Sequence, residues 1–436
     1  MSLSGKSALA EKGFFRLWTA ESVSMAGTQV SIFAIPLVAV LSLDAGPWEM
    51  GLLGAAGSLA ILLFGLSAGV YADRYERRKL LILANLGRAA VVLTVPVLYW
   101  ADALSFAALV LVAFLLGALG LLFDAAMQAY LPRLVGKNEL ERSNSWMQGT
   151  ESVGEVAGPG FAGLVVQVLS APVALLLDSV SYLVSSVTLA TLPKAKPQRE
   201  PDAARESHAA AVLSGLKMLW GNKVLRPLAL AAAHFNLFTA MFFALFTLYA
   251  VKVLHFSPFL LGVVTMTGGV AGLLGSTSAV RLSARFGLGR TLVACYAIPG
   301  LAGLLVPAAQ SVSKPVAAVF VGVSTFVWSF CVVILLILGA TLRQQLVADA
   351  YLGRVSATFR FVSWGVDPIG ALIGGALGAS AFGLRRTMAL AALGIVFSAL
   401  WPWFGPARTV RSASAATPDE DGEPKPADPV DASGHQ

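Results

Sequence analysis

The stretch Gly69-Val70-Tyr71-Ala72-Asp73-Arg74-Tyr75-Glu76-Arg77-Arg78-Lys79 separates two apolar runs that are each long enough to cross a bilayer. Arg74, Arg77, Arg78 and Lys79, set beside Asp73 and Glu76, cannot enter hydrocarbon, so the turn must lie at a membrane interface. Basic residues next to membrane segments resist translocation. The turn is therefore expected on the cytoplasmic side, and it orients the rest of the chain.

The 436 residues are 57% hydrophobic and 13% charged, with a mean hydropathy of +0.75. That is too little charge to cover a soluble protein of this size. Apolar runs of about 20 residues recur from Leu17 to Trp403, and each can span ~30 Å of hydrocarbon at about 1.5 Å per residue. Twelve spans are expected, at 17–43, 49–71, 80–100, 105–130, 146–169, 171–192, 227–250, 258–280, 290–310, 315–341, 356–380 and 384–405. The first follows a polar segment, Met1 to Lys12, and reads as a spanning helix and not as a cleaved leader.

An even count places both termini on one side. Of the 31 Lys and Arg, only Lys252, Lys314, Arg385 and Arg386 fall in turns expected to face outward, while Arg88 lies inside a span. Both termini are thus expected in the cytoplasm, with the chain in the cell (inner) membrane. The net charge of +7 is spread along one face of a membrane protein and requires no nucleic acid. Cys295 and Cys331 fall within the ninth and tenth spans and read as small packing residues. No metal-ligand spacing and no Gly-x-x-x-x-Gly-Lys-Ser/Thr phosphate loop occurs, so no cofactor, no ATP-driven pumping and no enzyme chemistry is expected.

Residues 193–223 change character, with Pro193, Pro197 and Pro201 among charged residues, and read as a cytoplasmic linker containing a short amphipathic helix at Ala209–Trp220. The linker separates an N-terminal six-helix half, 1–192, from a C-terminal half, 224–405; the tail 406–436 has too few apolar residues to pack and is expected to be disordered. The halves echo each other where hydropathy constrains sequence least. Ala72, Asp73, Arg74, Tyr75 and Lys79 align with Ser283, Ala284, Arg285, Phe286 and Arg290; Leu134, Val135, Leu140 and Arg142 align, at nearly the same spacing, with Leu346, Val347, Leu352 and Arg354. Two parallel six-helix units related by an axis along the membrane normal are a transporter architecture, with the substrate between them near mid-membrane.

The opening turn resembles the Gly-x-x-x-Asp-Arg-x-Gly-x-Arg-Arg signature of the major facilitator superfamily, through Gly69, Asp73, Arg74, Arg77 or Arg78, and Lys79, with Glu76 in place of a Gly. The fifth span resembles the antiporter signature Gly-x-x-x-Gly-Pro-x-x-Gly-Gly, through Gly154, Gly158, Pro159, Ala162 and Gly163. Phe15-Arg16-Leu17-Trp18, Leu131-Pro132-Arg133-Leu134-Val135 and Leu177-Asp178-Ser179-Val180-Ser181-Tyr182 are similar to the branch containing macrolide-efflux proteins and the enterobactin exporter. The resemblance implies the twelve-helix fold and an exporter of the drug:proton antiporter type. It also implies gating by the turn, with Asp73 closing against the start of the eleventh span near Ser356. Two departures stand against it: the fourth span has no Arg between Ser105 and Tyr130, and Gly27 is followed by Thr28 where macrolide-type relatives often carry an acid.

Charged residues within spans mark candidate sites, because each must be paired or functional. Glu151 and Glu155 lie one turn apart on the fifth span, and Glu155 falls roughly 13 Å from its cytoplasmic end at 1.5 Å per residue. Both could couple protons or simply hydrogen-bond a neighbouring helix. Asp178, with Ser181 and Tyr182 at helical neighbour spacing, reads as a structural hydrogen-bonding group or a proton site. His234 reads as a packing residue or a proton site. Arg88 and Asp124 fall at similar depth and are expected to pair. Phe235, Phe238, Phe242 and Phe246 recur at spacings of three and four, a stripe that could line a substrate cavity or face lipid or other helices. Glu21 and Asp367 are weaker candidates. The function expected is export of a hydrophobic or amphipathic small molecule, drug-, macrolide- or siderophore-like, by proton antiport as a monomer; uptake symport, or a non-transporting receptor or scaffold, are the alternatives.

Overall fold

The computed structural model describes residues 5–65, 75–136, 139–193 and 208–409. Among these, twelve helices are long and apolar enough to cross a membrane. The first six are α1 (Gly5–Ser42), α2 (Pro47–Phe64), α3 (Arg77–Trp100), α4 (Phe106–Val135), α5 (Leu140–Leu169) and α6 (Ala171–Ala190). A linker helix, His208–Gly221, precedes α7 (Leu225–Leu248), α8 (Pro258–Phe286), α9 (Leu288–Gly303), α10 (Lys314–Leu346), α11a (Asp349–Trp364), α11b (Asp367–Ala379) and α12 (Leu384–Phe397). The expected amphipathic linker helix is thus present, and it packs on α11a and α7.

Several helices overrun the expected spans, all at the end of the bundle that carries the basic turns: α1 begins before Leu17, α5 before Trp146, α11a before Ser356, and α10 continues past Thr341 to Leu346. Lys12, Arg16, Glu141, Arg142 and Arg343 sit in these extensions, where helix geometry persists beyond the apolar segment that hydropathy can detect. At the opposite end, here called the far end, the turns are short. The Glu49 carboxylate accepts the Gly46 N–H at 3.1 Å to start α2, and Ser105 and Ser257 accept the Ala108 and Leu260 N–H groups to start α4 and α8, satisfying donors that a helix start leaves open.

Two far-end turns carry the imprint of the duplication in their backbone. In the α1–α2 turn Asp44 is left-handed, with Leu43 N–H donating to Val38 O and Ala45 N–H to Ala39 O; in the α7–α8 turn His255 is left-handed, with Leu254 N–H donating to Tyr249 O and Phe256 N–H to Ala250 O. The same turn is thus built twice from unrelated side chains.

The halves meet along two pairs of helices, α2 with α11b and α5 with α8. Each pair crosses through glycine near the far end. A Cβ on Gly51 would lie 2.7 Å from Gly375 Cα, and one on Gly163 would lie 2.7 Å from the Pro258 carbonyl oxygen, beside Gly262. Without Cβ atoms the backbones approach closely enough to gain van der Waals contact that lipid cannot replace. Gly51, Gly163, Gly262 and Gly375 are buried, whereas Asp124, Trp146, Glu151 and Arg360, toward the basic end, are exposed. The bundle is closed at the far end and splayed at the basic end.

Candidate functional site

The splay leaves a cavity of about 570 Å³ between the halves, lined by α1, α2, α3, α4, α6, α7 and α11b. Its first-half wall is polar. Thr28 and Ser31 on α1, Arg88 on α3 and Tyr182 on α6 line it, and Asp178 is buried directly behind them. Ser31 Oγ donates to Asp178 Oδ2, Ser181 Oγ lies 3.2 Å from Oδ1, and Thr28 Oγ1 and Tyr182 OH are 2.9 Å apart. These contacts rest on a serine-rich face of α6 that lets α1 and α3 pack tightly: Ser179 Oγ donates to Ala89 O at 3.0 Å, and Asn85 Nδ2 to Ser185 Oγ at 3.0 Å. The Asp178–Ser181–Tyr182 grouping anticipated from spacing is assembled here, joined by Ser31 and Thr28, neither of which the sequence marked as a site residue. The signal available was their position at the middle of the first span, level with Asp178.

Arg88 corrects an expectation. It makes no ion pair with Asp124 within 4 Å among the described residues. Instead its guanidinium lies over the Phe123 ring, 4.8 Å from the centroid, and over the Tyr182 ring at 5.5 Å, with a 3.4 Å hydrogen bond to Asn85 Oδ1. Aromatic faces meet a guanidinium's needs without a carboxylate in contact. Glu21, a weaker candidate from sequence, has its Oε2 buried and without a hydrogen-bond partner among the described residues.

The second-half wall is mostly apolar: Ala240, Phe243 and Ala244 on α7 and Ala371 on α11b, with Asp367 beside them. The aromatic stripe is therefore placed differently from the expectation that it could line the cavity. Phe235 packs on Tyr296 and Phe238 on His234 inside the second half; Phe242 and Phe246 are buried, and bound only a hollow too small for a ligand. The ring that reaches the cavity is Phe243, held edge-on to Trp328 at 4.8 Å. The stripe's periodicity was real, but helical spacing alone does not say which face meets a partner.

His234 is tied down on both ring nitrogens: Trp401 Nε1–H donates to Nδ1 at 3.2 Å, and Nε2 pairs with the Gly394 carbonyl at 3.0 Å. It is not part of the cavity wall. Nor are Glu151 and Glu155, which are exposed toward the basic end, Glu151 accepting from Gln148 at 3.0 Å. Gly154 and Gly158 of α5 face Met25 and Gln29 of α1, and Gly163 faces α8, so the antiporter-like stripe serves close packing in two directions. Of the signature turn, Gly69, Asp73 and Arg74 lie outside the described residues. Arg77 is buried, Arg78 Nη2 donates to Ala190 O at 2.6 Å, and Lys79 pairs with Glu76 at 3.2 Å.

The sequence matches the Major Facilitator Superfamily over residues 17–366. The chain belongs to that superfamily. It is 26% identical, over 83% of its length and 88% of the other's, to the multidrug efflux pump Tap of Mycolicibacterium fortuitum. It is 23% identical to macrolide efflux protein A of Streptococcus pyogenes, over 56% of its length and 60% of the other's. Its fold is that of the nucleoside transporter NupG, with a TM-score of 0.72 at 13% identity over 90% of this chain and 98% of that one. It is also that of a bacterial homologue of the iron transporter ferroportin in an inward-facing state, with a TM-score of 0.71 at 16% identity over 90% and 98%. This member of the superfamily is a multi-pass membrane transporter of small molecules and not an enzyme.

Proposed function

We propose that the protein is a proton-coupled exporter of hydrophobic or amphipathic small molecules, working as a monomer in the inner membrane with both termini in the cytoplasm. The carrying observation is the central cavity, whose polar wall hides Asp178 behind the hydroxyls of Ser31, Ser181, Thr28 and Tyr182. A buried carboxylate held only by hydroxyl groups can exist neutral or charged, and the hydroxyls can donate to it or accept from it in either state. Asp178 is therefore the coupling residue of this reading, ahead of Glu151, Glu155 and His234. The basic end faces the cytoplasm by the positive-inside bias, so the splayed form receives cargo from the cell interior. Proton loading of Asp178 from the outside and release inside drive the alternation, as the halves pivot about the glycine crossings. The efflux names of Tap and macrolide efflux protein A support export over uptake, and the cavity volume falls in the range that takes drug-sized molecules.

The test is proton movement in proteoliposomes carrying an internal pH dye, with macrolides, siderophores and lipophilic cations as cargo. Cargo-evoked proton flux in the opposite direction, lost in Asp178→Asn while cargo binding is kept, is expected. Flux that survives in Asp178→Asn moves coupling to another acid. Cargo transport indifferent to a proton gradient overturns proton coupling itself.

A further inference from the structure

The two halves treat the charges of their basic end differently. In the first half acids stand among the bases: Lys79 pairs with Glu76 at 3.2 Å, and Arg142 with Glu139 at 4.0 Å. Between residues 208 and 409 the only acids in the sequence are Asp349 and Asp367, and Asp367 lines the central cavity. The α8–α9 turn shows the difference most plainly, because it is the repeat mate of the signature turn. Ala284 stands in the place of Asp73 and Gly287 in that of Glu76, while Arg285 and Arg290 remain and Arg281 stands where Val70 does. All three arginines are exposed, as are Lys223 just before α7 and Arg226 in its first turn. Among the described residues none of these five bases makes an ion pair. The positive-inside bias accounts for the bases, but acids contribute little to it, so it gives no reason for one half to lose them.

The chain itself holds the missing acids. Residues 410–436 lie outside the described residues, and in sequence they carry Asp419, Glu420, Asp421, Glu423, Asp428 and Asp431 against Arg411 and Lys425. The place where the described chain ends fixes where they start. Gly405 lies against Pro227 in the first turn of α7, a Cβ on it falling 3.0 Å from Pro227 Cγ, and Pro406–Thr409 packs on α9. The chain therefore leaves the bundle beside the two helix starts that carry Arg226 and Arg290. The tether from Thr409 to Asp419 reaches at most ~36 Å when extended, enough to cross neighbouring helices of about 10–12 Å each. We propose that the acidic segment Asp419–Glu423 docks on the basic surface formed by the α8–α9 turn and the start of α7, supplying the counter-charge that the first half keeps within its own turns. A single exposed ion pair is weak, but several form together here, and the short tether holds the acids at an effective concentration on the order of millimolar.

This inference rests on neither the cavity nor proton coupling, and its test reads contact alone. The purified full chain in phosphatidylcholine nanodiscs is treated with a carbodiimide, which joins a carboxylate to a lysine amine only where the two touch. The products are mapped by mass spectrometry. The tail acids are expected to couple to Lys223, and to the amine introduced by Arg290→Lys, about fivefold or more over Lys79 of the first half. Salt at ~1 M, where the screening length is about 3 Å, should abolish this preference. So should Arg281→Gln, Arg285→Gln and Arg290→Gln combined, exposed changes that leave the melting temperature in place; a tail held near Lys223 by its tether alone would respond to neither. Coupling spread evenly over the lysines, or surviving both salt and the triple variant, overturns the proposal. Coupling lost when phosphatidylglycerol is added to the discs overturns it too, since the surface then belongs to anionic lipid headgroups.

Discussion

On one wall of the cavity Thr28, Ser31, Arg88 and Tyr182 screen the buried Asp178; on the other, Ala240, Phe243, Ala244 and Ala371 form an apolar surface with Asp367 at its edge. The halves that supply these walls are repeats, and at their crossings they still look alike, Gly51 against Gly375 and Gly163 against Gly262. The contrast follows from what constrains each place. A helix crossing is a backbone contact, and both copies of it must stay thin for the halves to close evenly. A cavity wall is a side-chain surface without that backbone constraint, so the two copies were free to diverge into a polar side and an apolar one.

The largest expected effect comes from removing the polar wall's carboxylate. Asp178→Asn should lower cargo-driven proton flux by about a hundredfold or more, the scale of losing a group that must gain and lose a proton, measured by the pH dye in proteoliposomes; the matching change on the other wall, Asp367→Asn, should leave most of that flux intact. Equal losses of flux in the two variants would erase the distinction between the walls.

Next is the symmetric pair of crossings. Gly262→Leu and its repeat mate Gly51→Leu each force a side chain into a backbone contact, and each should destabilise the protein by about 1–3 kcal/mol, the usual cost of overpacking, seen as a lowered melting temperature in detergent. If one is tolerated and the other is not, the crossings have diverged as the walls have.

Adjacent phenylalanines on α7 divide the apolar wall from the interior behind it. Phe242→Ala, a buried truncation, should cost about 3 kcal/mol of stability. Phe243→Ala, at the cavity, should change melting little and weaken cargo binding several-fold, read by fluorescence polarisation of a fluorescent cargo.

The smallest effect belongs to a pair that spans the halves at the closed end. Lys252, at the end of the seventh span, pairs with Asp44 in the α1–α2 turn. That hydrogen bond and the Lys252 charge hold the Asp44 carboxyl below its ordinary value of 3.8. Because the folded value is depressed, the pair contributes above pH 3.8 and is lost as pH falls through the lower folded value. The difference in melting temperature between wild type and Lys252→Ala should therefore be small, constant between about pH 5 and pH 8, and absent in stronger acid; both partners are exposed, and salt should shrink it further. A difference that changes between pH 5 and pH 8 would assign the contact to another group.

The twelve spans, the duplication and the superfamily were legible from sequence because each depends on local chemistry: an apolar run must be about 20 residues long to cross hydrocarbon, and the spacing of Gly69, Asp73 and Arg74 is a pattern carried by the sequence itself. Helix extensions such as the one beginning at Gly5 were not, since hydropathy falls where the helix leaves the apolar segment while its hydrogen bonds continue. Asp178 with Ser181 and Tyr182 could be grouped because three and four residues along a helix are neighbours in space. That same rule could not say that Ser31 completes the group, that Arg88 turns to Phe123 and Tyr182 and not to Asp124, or that Phe243, and not Phe242 or Phe246, reaches the cavity. Those contacts join residues far apart in the chain, and they are set by how the helices rotate and cross. Sequence determined which residues must be inside the membrane; only the tertiary packing decided which of them meet, because a helix presents all its faces and its neighbours select among them.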